Sequence, residues 1–487
     1  MAIEDMWKWL NNVLNMFRGS FSREKAFSWF VIVVIGLMIR TDKLGVSSFI
    51  RELSLNSELY HNLLHFFRAD SWNVLTLSTN FIDIIMKSNM IYMIDGMPVL
   101  VGDGVKTGKE SKRMPGVKKQ HQESEDSSKA EYIFGHIFGA IGVLIGNVEK
   151  QFCVPVLCTI HDGVDEIREW VDKTYKKESH VVKMIRDGCS VAKKLGESII
   201  ALDRYYMSVP ALEKLEELEI EAKKKLLNIV TKAKKTCTAY EYPETKAGRG
   251  RPRKKGKEVK VLKIFTEKMG EFVEAKVTLY GEEKVVQYYC TNLLWGQKLY
   301  RELRFVLVKC GEDLTILVCT NLTFSPEKIM KIYGYRFKIE VTFKQLKQII
   351  EGFSYHFWSK MMPKINKYLK KGQRDGRLKT IIDEKDRAKI IGALKAIEGY
   401  VMISCIALGI LQMMSVTFSE TLNLNRFRWL RTKTSRVVTE ATMSEILRKS
   451  IFYRLEKRED LSIMRIIKNK QKSEEMEDID FDISMIA

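Results

Sequence analysis

The stretch KIYGYRFKIEVTFKQLKQII, Lys331–Ile350, decides how the chain is read, because it sets one acid, Glu340, among aligned polar residues on an otherwise basic helix. At about 100° of rotation per residue, Tyr333, Arg336, Glu340 and Lys347 share a sector of about 60°. Ile332, Tyr335, Ile339, Phe343, Leu346 and Ile350 form the neighbouring stripe, the core face of an amphipathic helix. The polar quartet therefore stands at the rim of a core. Upstream, Ser325 is placed to cap, Pro326 suits the first helical position and Glu327 lies beside the dipole's positive end.

Working outward, the chain has 487 residues, enough for roughly three domains. Lys plus Arg (81) exceed Asp plus Glu (61), a net charge of +20, which points to a polyanion as partner: nucleic acid first, an anionic membrane surface second. The opening MAIEDMWKWLNNVLNMF carries acids and no uninterrupted apolar core, so a cytoplasmic chain is expected. The eight cysteines do not resemble a disulfide framework and are expected to be reduced, buried thiols. Cys153, Cys158 and His161 invite a metal reading, but QFCVPVLCTIHDG reads as a strand, in which residues five apart face opposite ways. Of two apolar runs, Phe27–Ile39 is too short to span a membrane. The other, Gly399–Phe418, is long enough, but it continues an amphipathic helix and is expected to be buried.

Residues 1–88 read as helical, and LGVSSFIRELSLNSELYHNLLHFF within them is either a helix-turn-helix that reads DNA ends or an ordinary packed pair, capped at Asn56 or Ser57. Residues 89–233 alternate strands and helices: three strand-like runs, a charged helix from Asp165 to Leu195, a fourth strand SIIALDRYY and a later helix. Residues 234–324 open with a basic Gly and Pro run and continue as alternating strands, a β-rich insertion. The α/β pattern resumes over 325–380, residues 381–472 read as helical, and 473–487 form an acidic tail expected to be disordered.

Asp103 ends an apolar run in VLVGDGVKTGKE, and Asp203 ends another in SIIALDRYYMS. Strand ends in an α/β sheet are where sites form, and Glu340 can complete a trio. Converging carboxylates repel one another unless a cation neutralises them, and hard oxygen ligands suit Mg²⁺ or Mn²⁺. Two such ions about 4 Å apart can activate water and stabilise a leaving oxygen in phosphodiester displacement. On the residues alone a strand-end Asp is more often a turn or cap residue, and Asp95 in YMIDGM rivals Asp103.

The spacing Y-x2-R-x3-E-x6-K, met by Tyr333, Arg336, Glu340 and Lys347, resembles the signature of DDE transposases of bacterial insertion sequences, in the group with a β-rich insertion in an RNase H-like core. GDGVKTGKESKRMPGVKKQHQES is similar to their first-aspartate block and favours Asp103 over Asp95, and ALDRYY is similar to the second, placing Asp203. The resemblance covers roughly residues 20–360. It implies an α/β fold, an RNase H-like mixed-sheet catalytic core with helical regions at both termini. It implies cut-and-paste chemistry in which Asp103, Asp203 and Glu340 bind two Mg²⁺ ions, with Mn²⁺ able to substitute. Tyr333, Arg336 and Lys347 inherit contacts to the DNA backbone. Double-stranded DNA, as terminal inverted repeats and target, is the implied partner, with a homodimer in the synaptic complex, no membrane, and a bacterial, nucleoid-associated cytoplasmic setting. The alternative is a transposase-derived protein that binds DNA without cutting it.

Arg249 and Arg251 in GRGRPRKKG resemble an AT-hook, whose arginines follow a narrow minor groove; the bland alternative is a flexible loop that touches phosphates without base preference. His356 and Trp358 in YHFWSKMMPK are expected to pack rather than approach DNA.

Overall fold

Ser198–Leu202 (SIIAL) is buried at every position, the pattern of a strand covered on both faces. The computed structural model describes residues 2–42, 45–122, 130–147, 150–244, 253–279, 282–368, 375–422, 437–457 and 460–471. Five helices open the chain: α1 (Ala2–Met16), α2 (Glu24–Ile39), α3 (Ser47–Glu52), α4 (Tyr60–Arg68) and α5 (Val74–Lys87). Strands β1 (Met93–Ile94), β2 (Met97–Gly108), β3 (Lys118–His121), β4 (Tyr132–Gly146) and β5 (Gln151–Ile160) follow. Then come α6 (Asp165–Val171), α7 (His180–Leu195), β6 (Ser198–Leu202), α8 (Val209–Ala222) and β7 (Leu227–Lys232). The next stretch holds β8 (Thr238–Tyr240), β9 (Glu258–Lys260), α9 (Ile264–Glu267), β10 (Val273–Leu279), β11 (Glu282–Trp295), β12 (Arg301–Cys310) and β13 (Asp313–Cys319). Helices α10 (Pro326–Gly334), α11 (Phe337–Gln348), α12 (Glu384–Phe418), α13 (Glu440–Lys457) and α14 (Ser462–Lys468) complete the described chain.

The strands form one mixed sheet in the order β3-β4-β2-β6-β7-β13-β12-β11-β8-β9, with β5 on β4, β1 on β2 and β10 on β11. β2, β4 and β5 are antiparallel neighbours, whereas β6 runs parallel to β2 and β7 parallel to β6. Residues alternate between faces. Ile199 and Ala201 pack with Ile329, Met330 and Ile332 of α10, while Ile200 meets α7 at Gly188.

Several elements depart from the sequence expectation. The helix through Lys331–Ile350 is two helices: after the poor helix former Gly334, the Tyr335 and Arg336 N–H groups bond three residues back, to Ile332 and Tyr333, and α11 begins at Phe337. The charged helix from Asp165 to Leu195 is also two, α6 and α7, the second capped by the Ser179 side chain. β6 stops at Leu202, and Arg204–Tyr206 turn in a 3₁₀ helix. The sequence left open where the strands of residues 234–324 attach: β13 pairs antiparallel with β7 and continues the central sheet.

The apolar run of α12 is buried among the protein's own elements. The helix is long and apolar enough to cross a membrane, yet 89% of its most apolar window is buried. A Cβ at Gly409 would stand 2.6 Å from both Phe81 and Val154, and one at Gly399 would enter the Trp72 ring, so the glycines let flanking groups press onto the helix. Buried Glu398 on α12 accepts from the Ile160 N–H at 2.9 Å and pairs with Arg168 at 2.5 Å.

Candidate active site

The parallel register of β2 and β6 sets Gly102 opposite Leu202. Asp103, within β2, and Asp203, just past the end of β6, are the next residues along, so the two acids follow a paired position at one level. The Gly104 N–H donates to Asp103 Oδ1 at 2.7 Å. Glu340 enters in the first turn of α11, whose Ile339, Phe343 and Leu346 are buried. Arg336, just before α11, joins the elements: its guanidinium donates to Asp103 Oδ2 at 3.1 Å and to Glu340 Oε1. The rival acid Asp95 is elsewhere, in the left-handed turn between β1 and β2, paired with Lys328.

Burial pushes the Asp103 carboxyl up to about 6; the Gly104 N–H and Arg336 oppose this, while the charges of Asp203 and Glu340 add to it. Arg336 is pulled down by burial, but Glu340 and Asp103 outweigh that and hold its guanidinium firmly protonated. Among the described residues, no three His, Cys, Asp or Glu side chains are gathered closely enough to hold a metal ion as placed. The donor set nevertheless fits a hard cation. Asp103 feels the charges of Asp203 and Glu340, and the Arg336 guanidinium bridges Asp103 and Glu340.

Asp103 and Asp203 line an open cleft of about 930 Å³, whose wall also carries Lys106, Arg204, Lys232, Lys234 and Lys235. These cations suit a phosphate backbone led to the acids. Of the remaining expected residues, Tyr333 lies half-buried on α10 and Lys347 exposed near the end of α11, so the helix break separates them from a single polar stripe. Arg249 and Arg251 lie outside the described residues, as does the acidic tail. His356 and Trp358 do not pack: Phe357 between them is buried, Trp358 is 46% exposed, and both line a groove of about 810 Å³ with Arg68, Lys360 and Lys389. The alternation of an extended segment turns them outward. Burial pushes the Cys153 thiol up to about 12, and all eight cysteines are free.

Beside the acids runs a hydrogen-bonded chain that the sequence did not suggest. Tyr206 Oη lies 2.8 Å from His180 Nε2, His180 Nδ1 2.8 Å from His161 Nδ1, and His161 Nε2 2.9 Å from Asp187 Oδ2. Burial, then the neighbouring His161, pushes the His180 imidazole down to about 3. Burial and the charges of Asp103 and Asp203 push the Tyr206 phenol up. Tyr206, at the third position after Asp203, and His161, in the stretch QFCVPVLCTIHDG, fell within stretches singled out on sequence; His180 and Asp187 were not named as candidates.

The site thus joins an acid within β2, a second just past the end of its parallel neighbour β6, a third on the following helix α11 and a cationic cleft on a mixed α/β sheet. Residues 170–354 match the family model of the transposase DDE domain. The matched stretch contains Asp203 and Glu340, and Asp103 precedes it. Comparison with curated proteins and with solved structures returns no match.

Proposed function

We propose that this chain cuts DNA at transposon ends and joins the freed end to target DNA, with Asp103, Asp203 and Glu340 as the metal-binding acids of an RNase H-like core. The observation that carries this reading is the parallel register that sets Asp103 and Asp203 side by side, together with the arginine that ties Asp103 to Glu340. The sheet order β5-β4-β2-β6-β7, three antiparallel strands followed by two parallel ones, supports the core assignment. The strands from β8 to β13 are then an insertion between the second acid and the third, extending the sheet beyond β7. Residues 1–88 would form a DNA-end-binding domain and 381–472 a helical C-terminal region.

Bound Mg²⁺ or Mn²⁺, two ions in the full site, would supply Lewis-acid activation of water and of the leaving oxygen. The chain's own part would be to bring three oxygen donors to the cation and to bind the phosphates with Lys106, Lys232, Lys234 and Lys235. Arg336 neutralises the acids in the metal-free protein and is placed to turn to a DNA phosphate when a cation takes over. Tyr333 and Lys347 would hold the DNA backbone near the cut. Double-stranded DNA is the partner in this reading, a homodimer the working assembly, and the bacterial nucleoid the setting.

The same Arg336 clamp favours a second reading, a transposase-derived protein that binds DNA but no longer cuts. Mg²⁺-dependent cleavage of labelled DNA carrying the element's own end, with Glu340→Gln as control, separates the two. Cleavage that needs metal and falls on the order of 10³-fold or more in the variant, about 4 kcal/mol, with DNA binding kept, supports the enzyme. DNA binding without cleavage by the intact protein in Mg²⁺ or Mn²⁺ leaves the second reading standing.

A further inference from the structure

His180 touches both aspartate segments at once. On one side, a Cβ at Gly104 would stand 2.8 Å from its Nε2, so the ring lies against the backbone whose N–H holds Asp103. On the other side, the same Nε2 meets the hydroxyl of Tyr206, and the Tyr206 N–H closes the 3₁₀ turn onto the Asp203 carbonyl at 3.0 Å. The Thr231 hydroxyl donates to that carbonyl at 2.9 Å and fixes it from β7. The turn carrying Asp203 is thus tied to α7 through a phenol and an imidazole.

The chain of bonds has one direction when both rings are neutral. The Asp187 carboxylate only accepts, so His161 Nε2 bears the hydrogen and His161 Nδ1 accepts. His180 Nδ1 therefore donates to His161, which leaves His180 Nε2 as an acceptor for the Tyr206 hydroxyl. Asp187 fixes, two rings away, the tautomer that lets His180 hold Tyr206. Lys183 on α7 secures the middle of the chain, donating to the His161 carbonyl at 2.9 Å and to Asp165 at 2.7 Å.

We propose that His180 and Tyr206 are positioning residues for metal binding: the His161–His180–Tyr206 chain holds the Asp203 turn at the level of Asp103, so that both acids reach one cation. This rests on the metal-dependent reading above and adds to it residues that line the same cleft but act on the metal through the Asp203 turn. Outer partners of metal ligands typically change affinity or activity by about 10- to 100-fold when removed. Tyr206→Phe deletes a single oxygen and leaves the buried ring in place. His180→Gln keeps an acceptor near the position of Nε2, and His180→Ala removes it.

The test is calorimetric titration of the intact protein and the three variants with Mn²⁺ alone, with duplex affinity and thermal unfolding measured alongside. The expected result is an affinity for Mn²⁺ lowered about 10- to 100-fold in Tyr206→Phe and His180→Ala. His180→Gln should stay near the intact protein, and DNA affinity should be unchanged in Tyr206→Phe. A matching rise in the Mn²⁺ concentration needed for half-maximal cleavage supports the same conclusion. Mn²⁺ affinity in Tyr206→Phe within twofold of the intact protein overturns the positioning role while the metal site stands. No Mn²⁺ binding by the intact protein overturns both readings.

Discussion

Arg336 and Asp103 set the state of the acids before any cation arrives. The Asp103 side chain is 21% exposed, and burial with two acid neighbours raises its carboxyl from 3.8 to about 6 despite the guanidinium. Between those pH values the folded chain keeps a proton that the unfolded chain has released, so stability falls as pH rises from about 4 to about 6 and stays lowered above. Allowing for partial exposure, the cost at neutral pH is on the order of 2 kcal/mol. Asp103→Asn is therefore expected to raise the unfolding midpoint at pH 7.5, to lose most of that gain at pH 4, and to abolish metal-dependent cleavage. Thermal unfolding of both proteins at the two pH values checks this, and a less stable variant at pH 7.5 would refute it. Asp103 and Asp203 stood out in the sequence because apolar runs stop at them, but only Asp203 follows a strand end, since β2 continues past Asp103 to Gly108. Arg336 was legible as a cation in their row but not as their clamp, since that depends on how α11 lies across β2. His180 was not legible at all: it is 23 residues before Asp203, and only the packing of α7 on the sheet brings the two segments together.

Helix ends and helix contacts explain where elements form and where they break. The α10–α11 break was hidden because Gly334 within an apolar-periodic run reads as tolerated, and the wheel angle carries through it unchanged. The break leaves Arg336 at the head of α11, with Glu340 one turn on. α12 shows the opposite case, an apolar run whose burial was expected and whose reason lies in its glycines. Gly409→Val would press a branched side chain onto Phe81 and Val154 and is expected to destabilise by about 1–3 kcal/mol. On the same helix Gly392 has only the Arg68 Cβ at 4.0 Å, so Gly392→Ala is expected to stabilise by about 0.5–1 kcal/mol through helix propensity. Urea midpoints of the two variants test the pair. Equal small effects would mean that α12 is not packed as tightly as its neighbours' distances indicate.

At the scale of the whole molecule, the net charge of +20 becomes function only where the fold concentrates it. The order of blocks along the chain was readable, but the joining of β13 to β7 was not, because alternation signals a strand without naming its neighbour. That joining extends the sheet beside the cleft, and the end of β7 with the segment that follows it presents Lys232, Lys234 and Lys235 along the same wall as Asp103 and Asp203. A duplex led along this wall releases counterions from each phosphate it pairs. With six to ten such pairings, affinity is expected to fall about 10³- to 10⁵-fold between 50 and 200 mM salt. Replacing Lys234 and Lys235 together by Ala should reduce the slope of log K against log salt by about 2, one for each lysine that no longer meets a phosphate, and weaken binding equally for unrelated sequences. Fluorescence anisotropy on two duplexes at four salt concentrations measures both effects. An unchanged slope in the double variant would place the DNA away from this wall, and the acids would then lack the electrostatic approach that the cleft provides.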